Sequence, residues 1–176
     1  MRRGRPRRTI GDVRPRPEPV GPGQESVWDY PRPPRVVPSS AEVVVVLGGV
    51  EVCRTTRALR VLETSHPPSW YLPVDDWRAG ALQPAPGSSF CEFKGVAAYL
   101  DVVGGDRTAD AAAWTYPDPS PGFEALRGTV ALYPGRMDRC TVDGEVVRPQ
   151  EGGFYGGWIT RDVVGPFKGA PGTRGW

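Results

Sequence analysis

Lysine and histidine are nearly missing from this chain. Of its 22 basic side chains only Lys94 and Lys168 are lysines, and His66 is the one histidine. Cysteine is scarce too: Cys53, Cys91 and Cys140 are an odd number, widely spaced, with no C-x-x-C. That pattern supports neither a disulfide framework nor a four-ligand zinc site, which would need the fold to gather all three with His66, and it fits free thiols in a reducing compartment. No apolar run approaches the roughly 18 residues of a membrane span; the longest obvious one is Val43 to Leu47. Arg7-Arg8 is not followed by an apolar stretch before Pro15. Neither a twin-arginine nor a Sec signal is legible, so the expected compartment is the cytoplasm, with no membrane partner. There is no internal repeat.

Glycine and proline, by contrast, are abundant. Gly 23 and Pro 21 make up a quarter of the 176 residues. Six Trp, six Tyr, five Phe and a hydrophobic share of 39% exclude a wholly disordered chain and allow one modest core. The net charge of +2 conceals a split, since residues 1–35 hold nine Arg against four acids and the remainder holds 13 basic and 16 acidic side chains. Arginine in place of lysine, with much Gly, Pro and Ala, is what GC-rich coding produces without selection for nucleic acid. The first 38 residues contain nine prolines and no apolar periodicity. Residues 1–24 therefore read as a disordered, solvated Arg/Pro arm. Such an arm can meet nucleic acid or an acidic partner, but it lacks the interleaved aromatics of a single-strand binder. With an acidic body, nucleic acid is not expected as a partner except through it. Val27-Trp28-Asp29-Tyr30-Pro31 reads as a strap that docks on the body.

The body, residues 25–148, reads as strands. Glu42 to Leu47, Gly48-Gly49 and Val50 to Cys53 form a hairpin with a Gly-Gly turn. Arg57 to Glu63 and Trp70 to Pro73 are further strands. Phe90 to Phe93 and Val96 to Val103 read as strands interrupted at Lys94-Gly95, and Gly104-Gly105-Asp106 turns the chain back into Ala111 to Tyr116. Asp143-Gly144 is the strongest turn signal, between Arg139 to Val142 and Glu145 to Arg148. Two short helices are expected: one over Asp75 to Leu82 capped by Asp75, and one opened by Ser120-Pro121. The fold class is mainly β, antiparallel. Residues 149–176 are glycine-rich, but Phe154, Tyr155, Trp158, Phe167 and Trp176 point to a segment that packs back on the domain.

Chemistry concentrates at Cys91-x-x-Lys94-Gly95. A thiol near an ammonium has a lowered pKa and makes a candidate nucleophile, and Gly95 permits close approach of a ligand or a bulge that re-aims Lys94. On a regular strand positions 91 and 94 face oppositely, so the pair needs that bulge; otherwise it is a core Cys beside an exposed Lys. Arg57 can clamp an anion, and Glu63 or Asp75 can act as general base, or these charges form structural pairs. Trp70, Tyr71, Tyr99, Trp114 and Tyr116 can converge on an aromatic pocket or simply fill the core. Tyr71 and Tyr99, whose hydroxyls need partners, suit the pocket rim; Trp114 alone reads as core. His66, before Pro67, reads as a loop surface residue. No cofactor or metal site is legible.

Several motifs together resemble a bacterial family, domain of unknown function 427. They are Arg57-Ala-Leu-Arg-Val-Leu-Glu63, His66-Pro-Pro-Ser-Trp-Tyr-Leu-Pro73 with Asp75, and Cys91-Glu-Phe-Lys-Gly95 with Tyr99. Ala113-Trp-Thr-Tyr-Pro117, Leu132-Tyr-Pro-Gly-Arg-Met-Asp138 and Val142-Asp-Gly-Glu145 follow in order, so the likeness spans about residues 35 to 148. The flanks resemble extensions of actinobacterial members. The resemblance implies a small β-tent of two antiparallel sheets, and no metal, since the paired C-x-x-C of zinc-bearing relatives is missing. Some members carry a nucleotidyltransferase label, but that chemistry needs two or three carboxylates on magnesium beside a phosphate loop. Asp75-Asp76 is the only adjacent acidic pair, and Gly48-Gly49 is a turn. Two functions stay open. One is an enzyme acting on an anionic metabolite, with Cys91 and Lys94 reacting, Glu63 or Asp75 moving protons, and Arg57, Tyr71, Tyr99, Trp114 and Gly95 binding. The other is a non-catalytic small-molecule or peptide-binding module whose Arg-rich arm recruits a partner.

Overall fold

A computed structural model describes residues 14–176; the first thirteen residues of the Arg/Pro arm lie outside it. Along the chain the strands are β1 (Glu25–Ser26), β2 (Arg35–Ser39), β3 (Val43–Leu47), β4 (Val50–Thr55) and β5 (Ala58–Leu62). Then come β6 (Ser69–Pro73), β7 (Leu82–Cys91), β8 (Gly95–Gly104), β9 (Arg107–Thr115) and β10 (Thr129–Leu132). The last are β11 (Arg139–Val142), β12 (Glu145–Val146), β13 (Arg148–Pro149), β14 (Trp158–Ile159) and β15 (Val163–Val164). The fold is mainly β. A seven-stranded antiparallel sheet runs β2-β5-β6-β10-β9-β8-β7, and a four-stranded one runs β12-β11-β3-β4. Two small ribbons, β13-β14 and the parallel β1-β15, tie in the C-terminal segment.

Turn chemistry sets the hairpins. Gly48 and Gly49 both take positive φ between β3 and β4, and Asp143-Gly144 does the same between β11 and β12, as a two-residue primed turn requires. The Gly48 turn also touches the other sheet: a Cβ on Gly48 would run into the Gly104 carbonyl, and one on Gly104 into the Leu47 carbonyl. The two sheets therefore meet backbone to backbone at a point where only glycine fits.

Alternation along the strands then sorts the side chains. Val43, Val45 and Leu47 of β3 are fully buried, with half-buried Val44 and Val46 between them. They pack with Trp70 and Leu72 of β6, Val130 and Leu132 of β10, Val102 and Ala113 in the core between the sheets. Tyr71 points the other way and joins Val61, Ala97, Tyr116, Phe123, Leu126 and Ala131 on the opposite face. The large sheet is thus covered on both sides.

Both expected helices shrink to single 3-10 turns. Val74–Asp76 is the first, with Asp75 inside it rather than capping it, and Glu124–Leu126 is the second, behind Phe123 rather than Ser120. Long-range pairing explains the first: Arg78 donates to the Val52 carbonyl, Trp77 bridges to Cys53, and Val103 donates to the Ala81 carbonyl. Those bonds hold the segment extended and deliver it into β7, an edge strand that tolerates Pro84 and Pro86. In the second, Ser120 and Phe123 close a β-turn instead of a helical one.

The ends of the chain are woven into this body. Val27 is fully buried with Leu62 and Val163, Trp28 donates its indole N–H to the Pro166 carbonyl (2.9 Å), and Glu18 donates to the Gly165 carbonyl. Trp158 is fully buried, its ring 6.0 Å from that of Trp70, in the same cluster as Val45 and Leu132. Trp158→Ala should cost about 3–5 kcal/mol, the range for emptying a buried indole site. Urea unfolding measures it; a loss below about 1 kcal/mol would show that the C-terminal segment lies outside the cooperative core.

Candidate functional site

One row of side chains crosses the large sheet on the face turned away from the small one. Register places Leu59 opposite Tyr71, Tyr71 opposite Ala131, Ala131 opposite Trp114, and Trp114 opposite Tyr99. The small Ala131 leaves room between the two rings, and the Trp114 indole N–H donates to the Tyr71 hydroxyl at 3.3 Å. Tyr71 is completely buried, whereas Trp114 is half-buried, and both Trp114 and Tyr99 line a cavity of about 530 Å³. The expected positions are thus exchanged: Tyr71 forms the floor beneath the cavity, and Trp114 its wall.

Cys91 and Lys94 reach the same cavity. They do so without the mid-strand bulge that a continuous strand would need. Cys91 ends β7 and pairs directly with Gly95, which starts β8, so Glu92-Phe93-Lys94 is a three-residue hairpin turn. In a turn the period-2 rule no longer applies, and residues three apart can face one space. Gly95 (φ +103°) packs on Asp118 and Ser120, and Ser120 donates to the Lys94 carbonyl (3.0 Å). Gly95 therefore shapes the turn and does not line the cavity.

Lys94 lies with its ammonium 5.6 Å from the Tyr116 ring centre. Burial works against its charge, but nearby Tyr71, Cys91 and Glu63 outweigh that and hold its pKa above the usual lysine range. Burial, with Tyr71 and Cys91 as neighbours, pushes the Tyr116 hydroxyl far above the usual phenol range, so it stays a neutral donor. Burial also pushes Cys53 up to about 12 and Cys140 upward, leaving both as protonated core thiols. Cys91 is the half-buried exception.

Glu63 forms part of the wall but is tied to Arg32 at 3.0 Å. Arg57 and Asp75 sit elsewhere. Arg57 is exposed and pairs with Asp76 (2.6 Å), which also accepts from the Thr55 hydroxyl (2.5 Å). Asp75 is exposed in its 3-10 turn. The acidic dipeptide is thus held at a strand end, away from the cavity lining.

The remaining wall comes from residues that the strand pattern does not single out. His66, Gln150, Tyr155 and Lys168 all line the cavity. Buried Gln150 bonds the His66 ring, Tyr155 stands edge-on to it at 4.6 Å, and the Tyr133 hydroxyl donates to the Phe154 carbonyl (3.3 Å). A side chain on Gly156 would strike the Trp114 ring, so this glycine backbone lies flat on the indole. Phe90 and Phe154, exposed by 76% and 77%, stand at the rim. A groove of about 590 Å³ adjoins the cavity along the C-terminal backbone and shares Phe154, Tyr155 and Lys168 with it. One sequence signal does mark this wall: both lysines and the sole histidine of the chain converge here.

Residues 35–143 match the family described as Domain of unknown function (DUF427). The chain belongs to this family. No curated protein matches it. The DUF427 region supplies Cys91, Lys94, Tyr99, Trp114, Tyr116, Glu63 and His66, while Arg32, Gln150, Tyr155 and Lys168 lie outside the matched stretch. Among the described residues, no three His, Cys, Asp or Glu side chains gather as a metal site, and no helix is long and apolar enough to cross a membrane.

His66 gives this site a pH signature. Burial first, then the positive charges of Lys168, Arg32 and Lys94, push its pKa down from 6.5 to about 4. Below pH 6.5 the unfolded chain takes up a proton that the folded one refuses until about pH 4, so this contribution is whole above 6.5 and is lost as pH falls through that window. The loss should reach up to about 3 kcal/mol. Urea midpoints measured at about pH 7 and about pH 4.5 should differ less in His66→Leu than in the parent; an equal difference in both proteins would refute it.

Proposed function

We propose that the cavity takes a small anionic metabolite and that Cys91 is the group placed to react with it. One observation carries this reading. All eight ion pairs among the described residues are made by arginine, and neither lysine makes one. Where arginine makes every ion pair among the described residues, both lysines line one cavity; Lys168 gives a bond to the Trp176 oxygen (2.8 Å), and Lys94 keeps its charge uncommitted to a carboxylate. A compact ammonium at a partly dry site binds carboxylate or phosphate strongly, because the low local dielectric enhances the attraction.

The chemistry around that charge follows. Lys94 holds the anionic group, and a raised pKa keeps it an ammonium rather than an amine nucleophile. Tyr99 and Trp114 supply flat walls for the ligand's carbon skeleton. The Tyr116 hydroxyl, kept neutral, is a neighbour of the Cys91 thiol. A cytoplasmic location, with a thiol kept reduced, fits this use. A binding module without catalysis is the second reading, and it has its own support: the neighbour of Cys91 is a neutral phenol, not a base.

Calorimetric titration with small carboxylates and phosphates separates these. Lys94→Met should weaken binding about tenfold or more, the cost of one buried charge-assisted contact. Unchanged affinity would remove the basis of the proposal. Iodoacetamide should modify Cys91 ahead of buried Cys53 and Cys140. Cys91→Ser that binds but no longer converts the ligand marks an enzyme; equal behaviour with no conversion by either protein marks a binding module.

A further inference from the structure

Gln150 ties His66 to the C-terminal segment, and its amide can be oriented from its partners. Its Oε1 accepts the Gly157 N–H at 3.1 Å, and its Nε2 donates to the Lys168 carbonyl at 2.6 Å. Turned over, the amide would set NH₂ against a backbone N–H and oxygen against a carbonyl, losing both bonds. The atom that meets His66 Nδ1 at 3.0 Å is therefore the donor Nε2. Nδ1 must accept, which leaves the imidazole proton on the other nitrogen.

That second nitrogen, His66 Nε2, has no side-chain or backbone partner among the described residues. Nor is it one of the sealed polar atoms that lack a partner, which are Arg60 Nε, Ser65 Oγ and Trp77 Nε1. A ring nitrogen that is neither bonded nor sealed, on a residue that lines the cavity, opens on that cavity. The ring is held there by the Gln150 bond on one edge and the Tyr155 ring against it. Backbone restraint supports the arrangement, since a Cβ on Gly157 would strike Gln150 Oε1 and Pro67.

We infer that His66 is a fixed, neutral Nε2–H donor to the ligand, oriented by Gln150, and that the cavity takes a carboxylate or phosphate bearing a second, carbonyl-type oxygen. Lys94 recognises the acidic group and the imidazole recognises the acceptor. Gln150 is a positioning residue, acting only through His66. This rests on the anion-binding reading for the first half of the ligand; the tautomer stands without it. The geometry also separates His66 from a general-base role, because its basic nitrogen faces Gln150 and only the protonated one faces the cavity.

The single histidine makes the test direct. In full-length protein labelled with ¹⁵N-histidine, one imidazole appears, and at neutral pH it should show the Nε2–H tautomer. Gln150→Leu should give mixed tautomers, and Gln150→Glu, which replaces the donor with an acceptor, should move the proton to Nδ1. An Nδ1–H tautomer in the parent overturns the inference, as does a tautomer indifferent to both variants. For the ligand, the probes are N-acetylglycine and pentanoate, acids of equal chain length that differ by an amide. The parent should prefer N-acetylglycine by about tenfold, the worth of a hydrogen bond to an otherwise unpartnered group. His66→Leu should abolish that preference, so that both acids bind with equal affinity, a readout that does not depend on the Gln150 variants folding. A preference that survives in His66→Leu, or no binding of either acid by the parent, refutes the ligand assignment. If Lys94→Met leaves pentanoate affinity intact while the tautomer is as stated, the anion reading fails and the donor assignment stands.

Discussion

The structure depends on a sheet that must be covered on both faces. β6 is where this shows: Trp70 and Leu72 belong to the core against the small sheet, and Tyr71 between them is just as fully buried on the other side. Antiparallel sheets usually leave one face to water, and a second apolar face has to find cover. The small sheet covers the first face well. The second is covered only by pieces: the 92–94 turn, the loop carrying Phe123 and Leu126, and the C-terminal segment with its glycine backbone on Trp114. A cavity forms where those pieces do not quite meet. The site is therefore a product of incomplete cover over a ring-lined floor, and two of the covering pieces, the 92–94 turn and the C-terminal segment, contribute polar groups to it.

Electrostatics divides the molecule in the same way. Arginine forks serve the surface, where they pair with carboxylates such as Asp76, Glu51 and Asp118 at modest net gain. The lysines and the neutral imidazole serve the interior edge, where a charge that is half out of water is expensive unless something answers it. Glu63 answers in part and is itself shared with Arg32. That leaves the cavity with an excess of positive charge and a protonated ring donor, a combination suited to oxygen-rich ligands.

Hairpins were legible in the sequence because a Gly-Gly or Asp-Gly pair dictates backbone conformation locally. The helices were not, because the cap of Asp75 and the Ser120-Pro121 start are also good turns, and bonds to Val52 and Ala81 from far along the chain decided between the two. The site was half legible. Cys91, Lys94, Tyr99, Trp114 and Glu63 carry chemistry in compact motifs and do share the cavity, while Arg57 and Asp75 carry similar chemistry but are spent on structure. His66 and Gln150 meet across 84 positions, a separation that no spacing rule reaches. Scarcity itself is a signal, since residue types that a biased composition has almost eliminated persist at three positions of one cavity.

The near-total replacement of lysine has a consequence for how the molecule can be observed. Its side-chain amines number two, and both belong to residues that line the same cavity. An amine-selective acylating or fluorescent reagent, which on most proteins decorates the whole surface, finds here, apart from the chain's α-amine, only these two side chains. Protection of those two amines is a direct reading of cavity occupancy, and the chain carries that reporter in its own composition.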